Sequence, residues 1–279
     1  MAAKKHLWII LIIGLVCLLA IVALNEDLLV REYEIETNRV ESNVRLAVIA
    51  DLHQTRYGEP EEEQDAFIQI LRDHRPDAVC LVGDLLDGGA DEEPAWELME
   101  RLNMEFDCYY VTGNHEFWSG RAEEYIARIE DIGIPVLRGE GVIDLARSGM
   151  TRIGIFGVDD PDGLSEEAWQ MQLDECRRQR EAAKDFPDDI YSILLTHRPE
   201  RVDAYEGFDL VLAGHAHGGQ VRIPFIGGII APHQGFFPEL TEDLHEENGT
   251  YLVISRGLGN SLFPFRVNNR PEVVLITLE

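Results

Sequence analysis

The chain has 279 residues, 45% of them hydrophobic, which is enough to bury a large α/β core and too apolar for a disordered polypeptide. Its 52 acidic residues against 24 basic ones give a formal net charge of −28. A surface of that sign repels phosphate backbones and anionic headgroups, so general nucleic-acid binding is disfavoured and any membrane contact is left to apolar side chains.

Residues 7–24, LWIILIIGLVCLLAIVAL, form an unbroken apolar run of 18. As a helix it would rise roughly 27 Å, near the hydrocarbon thickness of a bilayer. A cleaved signal peptide fits less well, because the run is long and no pair of small residues stands two apart near its end. The expectation is an uncleaved single-pass transmembrane anchor over residues 1–24, with a cytoplasmic stub. Lys4 and Lys5 nearly balance Arg31 and Arg39, so the flanking charge decides little. The extracytoplasmic side is preferred for the following domain, and the cytoplasmic side stays open.

Residues 25–44 are polar and irregular, a linker with at most one strand at 33–35; the rest, 45–279, reads as one domain. There the strand-like runs RLAVIAD (45–51), DAVCLVGD (77–84), CYYVTGNH (108–115), RIGIFGVDD (152–160), IYSILLTH (190–197) and FDLVLAGH (208–215) alternate with helical spacing over 60–74, 92–102, 119–132 and 165–182. The last third is β-rich, with Asn248-Gly249 marking a tight hairpin. Cys17, Cys80, Cys108 and Cys176 read as buried or incidental thiols rather than a disulfide framework.

The informative positions are the strand ends. Successive runs finish in Asp51-Leu52-His53, Gly83-Asp84, Gly113-Asn114-His115-Glu116, His197 and Gly214-His215-Ala216-His217. In α/β sheets ligands bind beyond the carboxyl ends of strands, so these groups can converge on one crevice. Carboxylate, amide oxygen and neutral imidazole suit divalent ions of borderline hardness, and no thiol is among them. One shared carboxylate lets seven such side chains build two adjacent sites, the arrangement that clamps both oxygens of an in-line phosphoryl displacement.

The blocks DLH, GD, GNHE, H and GHAH, in that order over residues 51–217, resemble the calcineurin-like metallophosphoesterases. The flanks GGQVRIP, SRGLGNS and PEVVLITL are similar to a bacterial membrane-associated branch, extending the likeness over roughly 45–279. The resemblance implies a four-layer α/β/β/α sandwich and two divalent ions (Mn, Zn, Fe or Mg). It implies Asp51, His53 and His217 on one ion, Asn114, His197 and His215 on the other, and Asp84 between them. His115 would contact the substrate phosphate and protonate the leaving group rather than bind metal. The implied activity is phosphoester or pyrophosphate hydrolysis by in-line attack of metal-held hydroxide, on a phosphorylated small molecule or a lipid-linked substrate such as UDP-diacylglucosamine, a precursor of lipid A. A broad cell-envelope phosphodiesterase and, less well supported, a non-catalytic scaffold of the same fold are the alternatives.

Other residues stay between two readings. Arg198 either meets an anionic substrate or is an exposed charge, and Arg256 is similar. Glu116 either orients a neighbour of the site or is a helix N-terminal charge. Asp159 and Asp160 either line the rim of the site or, the preferred reading, belong to a solvated loop; Glu59 to Asp65 read as an acidic helix start, and His6, His74, His233 and His245 as incidental.

Overall fold

A computed structural model describes residues 2–40, 42–53, 62–89, 91–148, 151–183, 190–260 and 265–279, without the side chains of 2–5, 7, 62–63, 143–148 and 151. The strands are β1 (Leu29–Ile35), β2 (Val44–Ile49), β3 (Ala78–Val82), β4 (Cys108–Val111), β5 (Glu140–Ser148), β6 (Thr151–Gly157), β7 (Ile190–Leu195) and β8 (Leu210–Ala213). Two short hairpins follow, β9–β10 (Arg222–Ile223, Gly227–Gly228) and β11–β12 (Ile230–Ala231, Gly235–Phe236), then β13 (Asp243–Glu247), β14 (Thr250–Ile254) and β15 (Glu272–Leu278). The helices are α1 (Ala2–Ala23), α2 (Glu62–His74), α3 (Glu93–Glu105), α4 (Asn114–Trp118), α5 (Ala122–Ile132) and α6 (Glu166–Ala183).

Two sheets carry the fold. One runs β1-β15-β2-β3-β4, the other β13-β14-β8-β7-β6-β5. The strands that end in the polar blocks are parallel to their neighbours, β2 with β3 with β4 and β7 with β8. Side-chain alternation then assigns each layer of core. In β2, Ala47 and Ile49 face Phe67, Ile68, Leu71 and Met99 of the helices, while Leu46 and Val48 face Ile153, Ile193 and Leu212 of the second sheet. On the far side, Phe156, Leu194 and Val211 pack against Trp169, Leu173 and Cys176 of α6. Helices therefore cover the outer faces of two apposed sheets, a mixed α/β architecture with a continuous apolar filling between the sheets.

Several elements differ in extent from the sequence expectation. The segment read as linker supplies a full edge strand, β1, paired in parallel with β15 from Leu29 to Ile35. The expected helix over 119–132 splits into α4 and α5, because Gly120 at φ 74 ends the first turn after Trp118. Asn248 and Gly249 turn β13 into β14 with φ of 53 and 80, the pair of positive angles a two-residue hairpin needs. Pro60, and with it Glu59 to Glu61 of the acidic run, lies outside the described residues.

The membrane anchor is corrected. Among the described residues no helix is long and apolar enough to cross a membrane. The single-pass membrane localisation and the extracytoplasmic placement that depended on it fall with this finding. Apolar side chains of α1 such as Trp8, Ile12 and Ile21 are exposed, and its C-terminal end is tied to the domain where the Ala23 carbonyl accepts the Asn268 N–H at 2.6 Å.

Candidate metal centre

The loops after β2, β3, β4, β7 and β8 meet at one place between the sheets' carboxyl ends. They bring together Asp51, His53, Asp84, Asn114, His197, His215 and His217, all buried, with His115 half-buried beside them. Asp51, His53 and His217 hold donor atoms within 4.8 Å of one another, and so do Asp84, His197 and His215. Asp84 stands between the two groups: its Oδ2 is 3.1 Å from His197 Nε2 and 3.9 Å from His53 Nε2. Asp51 Oδ1 is 3.3 Å from His217 Nε2, and His53 and His217 face each other Nε2 to Nε2 at 3.1 Å.

This convergence is bought with backbone strain. Asp51, His53, Asp84, His215 and His217 sit at φ of 51, 48, 55, 69 and 46, left-handed values that cost a non-glycine residue roughly 1–2 kcal/mol each. Hydrogen bonds hold them there. The Asp51 N–H donates to Gly83, His53 N–H to Asp84 and Gly259 N–H to Asp51 at 3.0, 3.0 and 2.6 Å, while Asn269 Nδ2 donates to the His217 carbonyl at 2.7 Å. Neighbouring glycines make room. A side chain at Gly83, itself at φ 86, would meet His197 Nδ1 at 2.7 Å, and one at Gly257 would run into Asp51.

The charges are arranged unevenly. Burial pushes Asp51 up to about 7, against the pull of His197 and with the push of Asp84. Burial also opposes the charge on Asp84, but His197 and His53 outweigh it and hold that carboxyl well below its usual range. Burial likewise opposes protonation of His197, yet the Asp84 carboxylate beside it raises that imidazole to about 10. Burial lowers His53 to about 3 and holds His215 and His217 well below the usual histidine value, so these rings are neutral and free to offer lone pairs.

The donor set fits divalent cations on a direct observation. Asn114 Oδ1 is buried without a hydrogen-bond partner among the described residues, a costly condition for a polar atom, and His197 Nε2 has only the Asp84 carboxylate in front of it at 3.1 Å. The His197 ring is oriented from behind, its Nδ1–H donating to the Val82 carbonyl at 2.7 Å, which leaves Nε2 facing Asp84.

Structure decides the residues that the sequence left between readings. Glu116 is buried and accepts the N–H groups of Asp84, Leu86 and Gly113 at 3.0, 2.9 and 2.8 Å, as well as the Tyr110 hydroxyl at 2.7 Å. It ties the β3 and β4 loops into one unit. Glu116→Gln replaces acceptors with a donor facing those N–H groups. We expect metal affinity to fall about 10–100-fold and Tm to fall by about 5 °C; calorimetric metal titration with unchanged affinity would contradict this role.

Arg198 is neither exposed nor open to substrate: its guanidinium forks onto Asp160 at 2.6 and 2.9 Å and reaches His215 Nε2 at 3.2 Å. Asp159 and Asp160 are buried rather than solvated, Asp159 accepting from Thr112 at 2.9 Å and Arg138 at 2.8 Å. Arg256 is engaged with Glu242 and Glu272. His233, at the tip of the β11–β12 hairpin, stacks on His215 with ring centres 5.3 Å apart. Sequence spacing gave no sign of it, because the hairpin that delivers it carries no apolar periodicity. Arg266 was likewise unmarked, yet its buried guanidinium lies 3.5 Å from His217 Nδ1.

Comparison with known proteins agrees with this geometry. The profile of the calcineurin-like phosphoesterase family matches residues 44–219. The metallophosphoesterase YkuE of Bacillus subtilis is 26% identical over 240 residues, spanning 84% of this chain and 79% of its own. The phosphodiesterase YaeI of Escherichia coli is 25% identical over 240 residues, spanning 84% and 82%. Among solved structures, the NAD nucleotidase of Haemophilus influenzae shares the fold at a TM-score of 0.50 and 15% identity, over 78% of this chain and 46% of that one.

Proposed function

This chain belongs to the calcineurin-like phosphoesterase family, and from that premise we propose that it is a two-ion phosphodiesterase acting on a small phosphorylated molecule. The family makes it a metal-dependent phosphoester hydrolase. Asp51, His53 and His217 would hold one ion, Asn114, His197 and His215 the other, with Asp84 shared. When bound, the ions supply positive charge against the phosphoryl oxygens and a water whose pKa is brought toward neutrality.

The chain's own residues do the rest. Asp84 and Asp51 set the charge of the pocket, and Glu116 keeps the loops that carry Asp84 and Asn114 in register. His115 stands beside His53, ring centres 4.5 Å apart, and is half-buried where the seven donor residues are buried. There it can donate a proton to the departing oxygen. The observation that carries this reading is the buried, unpartnered Asn114 Oδ1 beside two groups of carboxylate and imidazole donors that lie within 4.8 Å of one another.

A diester is favoured over a monoester by the neighbouring cations. Arg198 is spent on Asp160 and Arg266 on the carbonyls of Arg256 and Gly259, so neither is left to meet the second charge of a monoester. The name of the relative YaeI points the same way. UDP-diacylglucosamine and a role in lipid A biosynthesis rested on the membrane anchor, and no feature of the described residues replaces that support.

The test is hydrolysis of bis(4-nitrophenyl) phosphate, 4-nitrophenyl phosphate and UDP-diacylglucosamine by the Mn²⁺-loaded chain. We expect kcat/KM for the diester to exceed that for the monoester by about tenfold or more. Preference for the monoester, or turnover of the lipid nucleotide alone, would overturn the reading.

A further inference from the structure

The short helix α4 ends in two aromatic residues that both meet the turn at residues 161–163. Phe117 packs on Gly163, whereas Trp118 stands at the lip of the centre with 56% of its surface exposed. That exposure is not looseness. The indole Nε1–H donates to Asp162 Oδ2 at 3.1 Å, and Asp162 is itself held by Arg198 at 2.9 Å. A large apolar ring is thus fixed in the open by that hydrogen bond instead of folding onto the surface, an arrangement that loses burial in the free protein.

Its position is specific. The rings run outward in series: His53 at the centre, His115 with its centroid 4.5 Å away, then Trp118 with its centroid 5.0 Å from His115 at an interplanar angle of 48°. If His115 meets the departing oxygen, the next atoms of the leaving group lie over the indole.

We propose that Trp118 is the platform on which the leaving group of the diester packs, so that the enzyme selects leaving alcohols bearing a planar π surface. The inference rests on the phosphodiesterase reading above and adds its substrate class. An aryl ring and a nucleobase share the required chemistry: a flat, polarisable face without added negative charge, which suits a protein of net charge −28. Trp118 acts by positioning; it takes no part in proton transfer.

The experiment uses the full chain loaded with Mn²⁺, as wild type, Trp118→Ala and Trp118→Phe. The substrates are three methyl phosphodiesters whose second alcohol is 4-nitrophenol, adenosine (through its 5′ oxygen) or 2,2,2-trifluoroethanol, with release of each alcohol read by chromatography. Taking the ratio of variant to wild type for each ester cancels their different intrinsic reactivity. Trp118→Ala should raise KM by about tenfold for esters with a planar leaving group and leave kcat within about twofold, while the trifluoroethyl ester is unchanged. Trp118→Phe should restore most of the loss.

A KM rise confined to the nitrophenyl ester would identify aryl substrates, and a rise that includes the adenosine ester would identify nucleotides. An equal rise for all three esters would show a merely structural role and overturn the proposal, as would no change in any. Wild-type protein that binds two Mn²⁺ yet cleaves none of the three would instead overturn the phosphodiesterase reading, and the platform with it.

Discussion

Asp84→Ala should empty both halves of the centre and lower kcat/KM by about 10³-fold or more, the loss expected when several kcal/mol of metal-supplied charge stabilisation disappears. The reason is geometric. One carboxylate oxygen lies 3.1 Å from His197 and 3.9 Å from His53, so both groups of imidazoles lose the carboxylate that faces them in common. The other oxygen accepts the His115 N–H at 2.8 Å, so the substitution also loosens the start of α4. Asp84→Asn serves as the control for that second effect, because its amide oxygen keeps the acceptor while the charge is gone. Both variants should bind less than one Mn²⁺ per chain by elemental analysis after reconstitution. Retention of two ions by the folded alanine variant would sink the shared role of Asp84.

His115→Ala should behave in the opposite way, retaining both ions and losing turnover. His115 is half-buried, sets its ring against His53 and its backbone N–H on Asp84, and presents its other side to Trp118. A proton donor contributes most when the leaving group is a poor one. We expect kcat to fall about 10³-fold for an ester with an alkyl leaving group and only about tenfold for a 4-nitrophenyl ester, whose oxygen departs without help. Metal content equal to wild type, measured on the same sample, separates this from damage to the centre. Equal losses on both esters would argue against the acid role of His115.

Much of the fold was legible because buried parallel strands advertise themselves. DAVCLVGD and FDLVLAGH are apolar runs that stop abruptly at a carboxylate or an imidazole, and the structure places these stops at one end of the two sheets. The backbone at those stops was not legible. Nothing in the letters Asp51, His53 or His217 announces a left-handed φ, which arises only when the sheets carrying β2 and β8 are apposed and hydrogen bonds such as Gly259 to Asp51 close the turns. Glu116 shows the same limit. Its value as a helix N-terminal charge is local, whereas its three backbone donors come from two separate loops.

His233 and Arg198 were misread for a related reason. His233 reaches the centre through a hairpin whose two-residue strands leave no periodic trace, and Arg198 is neutralised by Asp160, 38 residues away in the chain. The apolar N-terminal run was the costliest reading. Eighteen apolar residues sit at the lower edge of what a bilayer requires, so composition there does not decide for a span, and among the described residues no helix is long and apolar enough to cross a membrane.

The measurement that tests the central claim most directly is a titration of metal-stripped protein with Mn²⁺, following bound ion and diester hydrolysis on the same samples. Two adjacent sites joined by Asp84 predict no activity in the stripped chain and a rise that levels off at two equivalents bound. Activity that survives complete removal of metal, or a chain that binds no Mn²⁺ while folded, would contradict it.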